Sequence, residues 1–482
     1  MASTRRSVIF SAASNIGSLG LSLILLVVVT RWLAPAEIGA FVVAYAVFAI
    51  LEPLRMMQLV AYVIQAPELD KALMRRVQFV GWVATGAIVV ASIAAGLVMR
   101  LAFDNPQAGN LLLLMTVAFP VKAIAQPALA VLNRQMRFGA ITWVRLAAAA
   151  AKVGVTIALL VAGMRAEALA IGIVVEILVE LAFIFLVERA FALPVPSAQG
   201  TGPVWGYCLR FSGAQLVATL PNSAVDLLVG SFLGLAAAGF FNRANKLIRT
   251  VRSGIEGAIF PVALAVFARA ERTDRTETRQ AYLAGIALLT GVTWPGLALI
   301  AAVAEPLVLT AYGPRWESVV PLVQILALAA MIFATTAMAQ PLLASIGAVD
   351  TLLKRNLLIQ VPRMLIVLAA VQFDLIVVAW GMVLTMLVAN LVTERILSTE
   401  FSISYSHLIG ALWHSFVTAV TTSLVAFAAV KVTQAISDES AIVLFVSMSI
   451  GGLAWATAIL VTGHPLRQET VLLLRKVRSH LL

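Results

Sequence analysis

The fold class follows from long apolar stretches, of which one near the C-terminus is typical. Residues 441–463 read AIVLFVSMSIGGLAWATAILVTG and contain no charged side chain. A helix of about 20 predominantly apolar residues is long enough to cross the hydrocarbon core of a bilayer. This stretch therefore predicts a transmembrane helix.

Comparable stretches recur along the whole chain of 482 residues. They predict about fourteen transmembrane helices and an all-α integral membrane protein. The predicted helices cover 8–30, 37–59, 77–101, 109–132, 141–162, 167–188, 207–232, 237–263, 280–303, 317–346, 352–372, 374–397, 406–430 and 441–463. The helix at 237–263 has the weakest hydropathy of the set, because it carries several basic residues.

The overall composition supports lipid as the solvent for much of the chain. Hydrophobic residues make up 61% and charged residues 12%, against about 45–50% and about 25% in soluble domains. The net charge of +11 would suggest nucleic acid, but most of the charges lie in short loops between apolar stretches, so we expect no nucleic-acid partner. One cysteine and four histidines predict no disulfide and no metal centre, and without a phosphate-binding loop motif we expect no nucleotide cofactor.

Basic residues in the predicted loops indicate the orientation. Twenty fall on the side of the two termini, including Lys354 and Arg355, and five on the other side, namely Arg31, Arg100, Arg165, Arg315 and Lys431. Because basic loops stay in the cytoplasm, we expect a multi-pass membrane protein with both termini cytoplasmic. The short outer loops leave no room for a catalytic domain, and the chain is therefore predicted not to be an enzyme.

The Pro-rich stretch Leu193-Pro-Val-Pro-Ser197 predicts a linker between two six-helix bundles. The expected domains are an N-terminal bundle at 1–190, a cytoplasmic linker at 191–206 and a C-terminal bundle at 207–398. Two additional helices and a basic cytoplasmic tail occupy 399–482.

Basic residues inside the predicted helices mark the candidate binding site. A charge at a helix centre costs about 2.5–3.5 kcal/mol on insertion scales, so it should face a partner or an aqueous cavity. The helical basic residues are Arg55, Lys122, Arg145, Lys152, Arg243, Lys246, Arg249, Arg252 and Arg363. They outnumber the helical acids Glu52, Glu176, Glu180, Asp226, Glu256 and Glu394, which favours an anionic cargo. Several stand beside prolines, which favours bent helices around a polar cavity.

The helix at 237–263 is the most informative of these. Its four basic residues recur every three positions, and each three-residue step turns the helix by about −60°. The row therefore drifts half a turn from first to last, and all four cannot face one cavity. We therefore expect Arg243, Lys246 and Arg249 to line the cavity, and Arg252 to pair with Glu256 one turn on.

The acidic residues leave alternatives open. Asp226, one turn after Asn222, either pairs with this basic row or binds a coupling cation. Glu176 and Glu180 lie one turn apart and form either a proton site or a pair facing a lysine. Coupling to H⁺ or Na⁺ is compatible with both sets.

Three motifs resemble bacterial polysaccharide exporters, the lipid-linked oligosaccharide flippases of the multidrug/oligosaccharidyl-lipid/polysaccharide (MOP) exporter superfamily. They are Thr30-Arg-Trp-Leu-Ala-Pro-Ala-Glu-Ile-Gly39, Ala238-Gly-Phe-Phe-Asn-Arg-Ala-Asn-Lys246 and Gly313-Pro-Arg-Trp316. The branch that exports colanic-acid-like or succinoglycan-like exopolysaccharides is the most similar.

This resemblance implies a V-shaped pair of six-helix bundles plus two C-terminal helices around a basic cavity. It also implies alternating-access export of undecaprenyl-pyrophosphate-linked oligosaccharide repeat units, for exopolysaccharide or lipopolysaccharide biosynthesis. Expected partners are the lipid-linked substrate, the bilayer, and polysaccharide polymerase and co-polymerase proteins. The alternatives are a membrane polymerase or ligase of the same pathway, which usually carries a large periplasmic loop, and a drug exporter of related fold, which would favour an acidic cavity.

Overall fold

A computed structural model of the chain describes residue 17 and residues 20–55, 59–66, 70–101, 105–135, 137–187 and 195–467. The described part is helical throughout and contains no strand. The start of the first predicted helix, part of the Pro-rich linker and the basic C-terminal tail lie outside the described residues. The orientation predicted from Arg5, Arg6 and the tail therefore stays a prediction.

Eighteen α-helices follow one another along the described residues. They are α1 (Gly20–Trp32), α2 (Pro35–Leu51), α3 (Leu59–Gln65), α4 (Lys71–Leu101), α5 (Pro106–Thr116), α6 (Ala118–Arg134), α7 (Phe138–Val161), α8 (Glu167–Val187), α9 (Gly202–Phe232), α10 (Leu235–Glu271), α11 (Arg275–Ala302), α12 (Ala304–Ala311), α13 (Val319–Ala334), α14 (Ala339–Ser345), α15 (Val349–Ala370), α16 (Leu375–Phe401), α17 (Tyr405–Gln434) and α18 (Ser440–Thr462). Backbone N–H and C=O groups find no water to hydrogen-bond inside a lipid bilayer. A helix pairs these groups with one another within a single segment, which explains why the membrane-crossing parts are helical.

Eleven helical segments of the described chain are long and apolar enough to cross a membrane. The other three predicted spans coincide with α1, α9 and α15, which are helical without meeting that criterion. The all-α membrane fold is thus confirmed, and the number fourteen stays a prediction. Large apolar side chains face outward, with Phe445 75% and Val461 85% exposed, as lipid-facing positions require.

Three predicted spans are each divided in the structure. The span at 37–59 becomes α2, a 3₁₀ turn at Glu52–Arg55 and α3, as expected where Pro53 removes a backbone donor. The span at 109–132 becomes α5 and α6, which meet at Val117, three residues before Pro120. The span at 317–346 becomes α13 and α14. By contrast, α15 continues through Pro362.

The chain divides into two compact units, an N-terminal unit at 1–239 and a C-terminal unit at 240–482. In the N-terminal unit, α2 packs on α5 and α9, α4 on α5, and α7 on α8. In the C-terminal unit, α11 packs on α17, α17 on α18, and α16 on both α13 and α15. The four domain limits expected from the linker stay a prediction.

Candidate substrate-binding site

In the N-terminal unit, Lys122 is neutralised by an acid from another helical segment. Helix α6 carries Lys122 and the 3₁₀ turn after α2 carries Glu52, and their Nζ and Oε1 atoms are 2.7 Å apart. The Lys122 ammonium also lies 5.7 Å from the centroid of the Phe48 ring, which stacks on Phe119. A buried charge is tolerated when it is paired and hydrogen-bonded. Lys122 therefore ties α6 to the end of α2.

Lys152 is paired in a similar way. Its Nζ lies 2.9 Å from Glu176 Oε2, which joins α7 to α8. Glu176 thus faces a lysine, which is one of the two arrangements left open for it and Glu180. Glu180 lies one turn further along α8 and is partly buried.

The remaining candidates of this unit differ in what they offer to a ligand. Arg145 on α7 is exposed and forms no ion pair with a described residue. Asn222 on α9 is exposed, and Asp226 one turn later is partly buried. The side chain of Arg55 lies outside the described part of the structure, and its role stays a prediction.

In the C-terminal unit, the basic row of α10 separates into buried and open members. Arg243 is only 5% exposed, whereas Lys246 and Arg249 are exposed. The turn before this helix contains Gly234 with φ of +89°, a left-handed conformation that favours glycine. This tight turn starts α10 at Leu235, so Arg243 lies about 12 Å along the helix.

Arg243 lies in an aromatic environment. It interacts electrostatically with Tyr312, whose ring lies 6.1 Å from that of Trp316. Trp316 in turn makes an edge contact with Phe240, one turn before Arg243 on α10. Tyr312 follows α12, outside the membrane-spanning segments, and burial raises its pKa to about 12. The tyrosine therefore stays neutral at physiological pH and acts as a dipole toward the guanidinium.

Arg252 is not available to a ligand. Its Nε lies 3.2 Å from Glu256 Oε1, and its guanidinium lies 4.4 Å from the centroid of the Phe333 ring. The pairing predicted from the four-residue spacing is confirmed. Arg363 on α15 is buried, with its Nη1 3.5 Å from the Gln360 Oε1 atom.

Three of the candidate basic side chains are exposed in the structure. They are Arg145 in the N-terminal unit, and Lys246 and Arg249 in the C-terminal unit. The partners Glu52, Tyr312 and Phe333 were not assigned from the sequence, because each is far along the chain from the cation it contacts. The assignment of Arg355 to a loop was wrong, since this residue lies in α15 and is buried.

Two known proteins of polysaccharide biosynthesis are similar to this chain in sequence. The succinoglycan biosynthesis transport protein ExoT of Rhizobium meliloti (strain 1021) is 26% identical over 354 residues, which cover 71% of this chain and 69% of ExoT. The lipopolysaccharide biosynthesis protein WzxC of Escherichia coli (strain K12) is 21% identical over 428 residues, covering 87% of this chain and 86% of WzxC.

A solved structure shows the same fold. The lipid II flippase MurJ, in an inward closed conformation, superposes with a TM-score of 0.74 at 12% sequence identity. The match covers 94% of this chain and 98% of MurJ. At the level of sequence, residues 28–321 match the family described as polysaccharide biosynthesis protein. The chain is therefore a multi-pass membrane protein that belongs to the polysaccharide biosynthesis protein family.

Proposed function

We propose that this protein is a flippase that translocates undecaprenyl-pyrophosphate-linked oligosaccharide repeat units across the bacterial inner membrane by alternating access. The repeat units serve exopolysaccharide or lipopolysaccharide biosynthesis. The observation that carries the proposal is that the basic residues Lys246 and Arg249 are both exposed on α10, within an apolar span, in a chain of a polysaccharide biosynthesis family. The names of ExoT and MurJ, a transport protein and a lipid flippase, support the same activity.

A pyrophosphate is the anion that suits these side chains. A guanidinium offers paired N–H donors that match phosphate oxygens, and an ammonium adds a compact positive charge. Because a charge is costly to place within a membrane, an incoming pyrophosphate would stabilise Lys246 and Arg249. Buried Arg243 orients this part of α10 through its aromatic neighbours.

The proposal places both termini in the cytoplasm and takes polysaccharide polymerase and co-polymerase proteins as partners. Transport proceeds without catalysis by this chain. Any coupling to H⁺ or Na⁺ would use an intramembrane acid, of which Asp226 and Glu180 are the candidates.

The proposal is tested in a strain that lacks this gene and keeps an otherwise intact polysaccharide pathway. Single lipid-linked repeat units should accumulate on the cytoplasmic leaflet, protected from periplasmic enzymes. The wild-type gene should relieve the accumulation, whereas an Arg243→Ala, Lys246→Ala double variant of normal abundance should not. Arg243→Lys should retain part of the export, and Lys431→Ala, an exposed lysine of α17 outside the site, should export normally.

Two results would contradict the proposal. Normal export by the double variant at wild-type abundance would exclude the basic row of α10 from the site. Repeat units that reach the periplasmic leaflet of the deletion strain and stay unpolymerised would indicate a polymerase or ligase, acting after translocation.

A further inference from the structure

A second basic group of the C-terminal unit is buried and only partly satisfied. Arg355 on α15 is 6% exposed. Among the described residues, its guanidinium makes one hydrogen bond, from Nε to the Thr393 Oγ1 atom at 2.8 Å, and no ion pair. The Thr393 hydroxyl donates its own proton to the Ala389 carbonyl oxygen at 2.6 Å. Its oxygen is therefore free to accept from Arg355, which fixes the position of the guanidinium.

The two terminal nitrogens of Arg355 stay available. An arginine carries five N–H donors, and only the Nε donor has a partner among the described residues. A buried charge without a counter-charge costs several kcal/mol. This arrangement is unfavourable unless an anion completes it.

Tyr282 on α11 supplies one more unsatisfied donor at the same place. Its hydroxyl is fully buried, has no hydrogen-bond partner among the described residues, and interacts electrostatically with Arg355. Its ring packs against Phe267, which holds the hydroxyl in place. The nearby acid Glu400 bonds Thr351 instead. The group therefore combines a guanidinium and a phenol, with no carboxylate paired to the charge, and such a donor set favours an anion.

The depth of this group identifies the kind of anion. Tyr282 and Arg355 lie seven and six residues after the first residues of α11 and α15, and Thr393 lies eight residues before the end of α16. All three are therefore about 10 Å from the same end of their helices. Helices α11 and α16 have 28 and 27 residues, which corresponds to about 40 Å against a hydrocarbon core of about 30 Å.

The extra length projects at this end, because α11 begins there with the polar run Arg275-Thr-Glu-Thr-Arg-Gln280 and ends in apolar residues at the other end. A group about 10 Å below these helix ends is therefore level with the lipid headgroups. The basic residues Arg269, Arg272 and Arg279 lie at the same end and attract acidic lipids.

We propose that Arg355, held by Thr393 and joined by the Tyr282 hydroxyl, binds the phosphate group of a membrane lipid at this end of the C-terminal unit. Two lipids carry the required group, an acidic phospholipid and the polyprenyl-linked substrate. The site is separate from the basic row of α10, and an acidic phospholipid is a sufficient ligand whether or not the proposed transport activity is correct.

The test measures lipid binding to the purified, delipidated full-length protein by native mass spectrometry. The probes are dioleoylphosphatidylglycerol and undecaprenyl phosphate, with dioleoylglycerol as the control that lacks a phosphate. Loss of a charge-assisted hydrogen bond should raise the Kd of Arg355→Gln for at least one phosphate lipid about tenfold or more. Lys354→Gln, the exposed neighbouring lysine, should bind like the wild type, and dioleoylglycerol should not compete.

An unchanged Kd in Arg355→Gln for both phosphate lipids would overturn the proposal. If Arg355→Gln does not fold, the test uses Tyr282→Phe, which removes one hydroxyl oxygen. This variant is expected to raise the Kd about threefold or more. An unchanged Kd in Tyr282→Phe would again overturn the proposal. Dependence on Arg355 for undecaprenyl phosphate alone assigns the site to the transported lipid, and dependence for both assigns it to lipid phosphates in general. A deletion-strain experiment that contradicts transport would not change the measured lipid binding. The two proposals can therefore fail independently.

Discussion

At the scale of single residues, partners close in sequence could be predicted and partners far apart could not. The Arg252–Glu256 pair was readable because a four-residue step brings two side chains to the same face of a helix. The Lys122–Glu52 pair joins segments 70 residues apart, and no spacing rule relates them. For the same reason, the sequence identified Arg243 as intramembrane but not its contact with Tyr312.

The Lys122–Glu52 pair provides a test of this view. Replacing Lys122 with Met removes its ammonium from a mostly buried carboxylate, and breaking a buried pair costs about 3 kcal/mol. We expect a clear fall in the Tm of the purified protein in detergent. The double variant Lys122→Met, Glu52→Gln should recover most of that stability, because no charge is then left unpaired. A double variant no more stable than the single one would show that the pair does not join these segments.

His464 provides a second test, through pH. It follows α18 and lies beside His414. Its Nδ1 accepts a hydrogen bond from the Leu466 amide, so the Nε2–H of the neutral ring donates to the Ser415 hydroxyl oxygen at 3.0 Å. Burial, and secondarily His414, lower its pKa to about 4, against about 6.5 in an unfolded chain. The folded protein therefore resists a proton that the unfolded chain accepts below about pH 6.5, so stability falls as the pH drops from there toward 4.

We expect the Tm of the wild type to decrease between about pH 7 and about pH 5. His464→Gln should show a smaller decrease over that range, because glutamine does not titrate, even if its Tm at pH 7 is lower. His407→Gln, a histidine exposed at the start of α17, is the matched control and should keep the wild-type slope. Equal slopes in all three proteins would contradict the role of His464.

At the scale of elements, hydropathy located the spans but not the helix ends. An apolar window ends where charges begin, whereas α10 continues to Glu271 and α16 to Phe401, beyond the predicted limits at 263 and 397. Polar residues can extend a helix out of the membrane, because water replaces lipid there without breaking the backbone hydrogen bonds. The breaks after α2 and α5 were partly foreseen, since prolines and charges occur together there.

Close packing between α2 and the start of α10 gives a prediction at this scale. A Cβ added at Gly39 would overlap the Leu235 carbonyl oxygen, and one added at Gly239 would overlap that of Pro35. Overpacking of a close contact costs about 1–3 kcal/mol, so Gly39→Ala should lower the Tm. Gly86→Ala in α4, where nothing lies within 4 Å of the added atom, should leave the Tm equal or higher, because alanine favours a helix. A Gly39→Ala protein as stable as wild type would show that this approach is not a constraint.

At the scale of the whole molecule, the fold and family were predictable and the site was predictable only in outline. Apolar segments dictate a multi-pass helical protein, and the motifs around Gly39 and Arg243 pointed to polysaccharide exporters, which the family match over residues 28–321 confirms. Which candidate basic residues are paired and which are exposed depends on tertiary packing, which the sequence does not show. Lys122 and Lys152 were expected to face substrate and are held in ion pairs, while Lys246 and Arg249 are exposed.

The most direct test of the central claim uses the purified chain in liposomes that contain a radiolabelled undecaprenyl-pyrophosphate oligosaccharide. A membrane-impermeant glycosidase added outside digests only the lipid of the outer leaflet. We expect the digested fraction to rise beyond the share that starts in that leaflet when the wild-type protein is present. With the Arg243→Ala, Lys246→Ala variant, it should stay at the protein-free level. A digested fraction that is the same with wild-type protein as with empty liposomes would contradict a flippase.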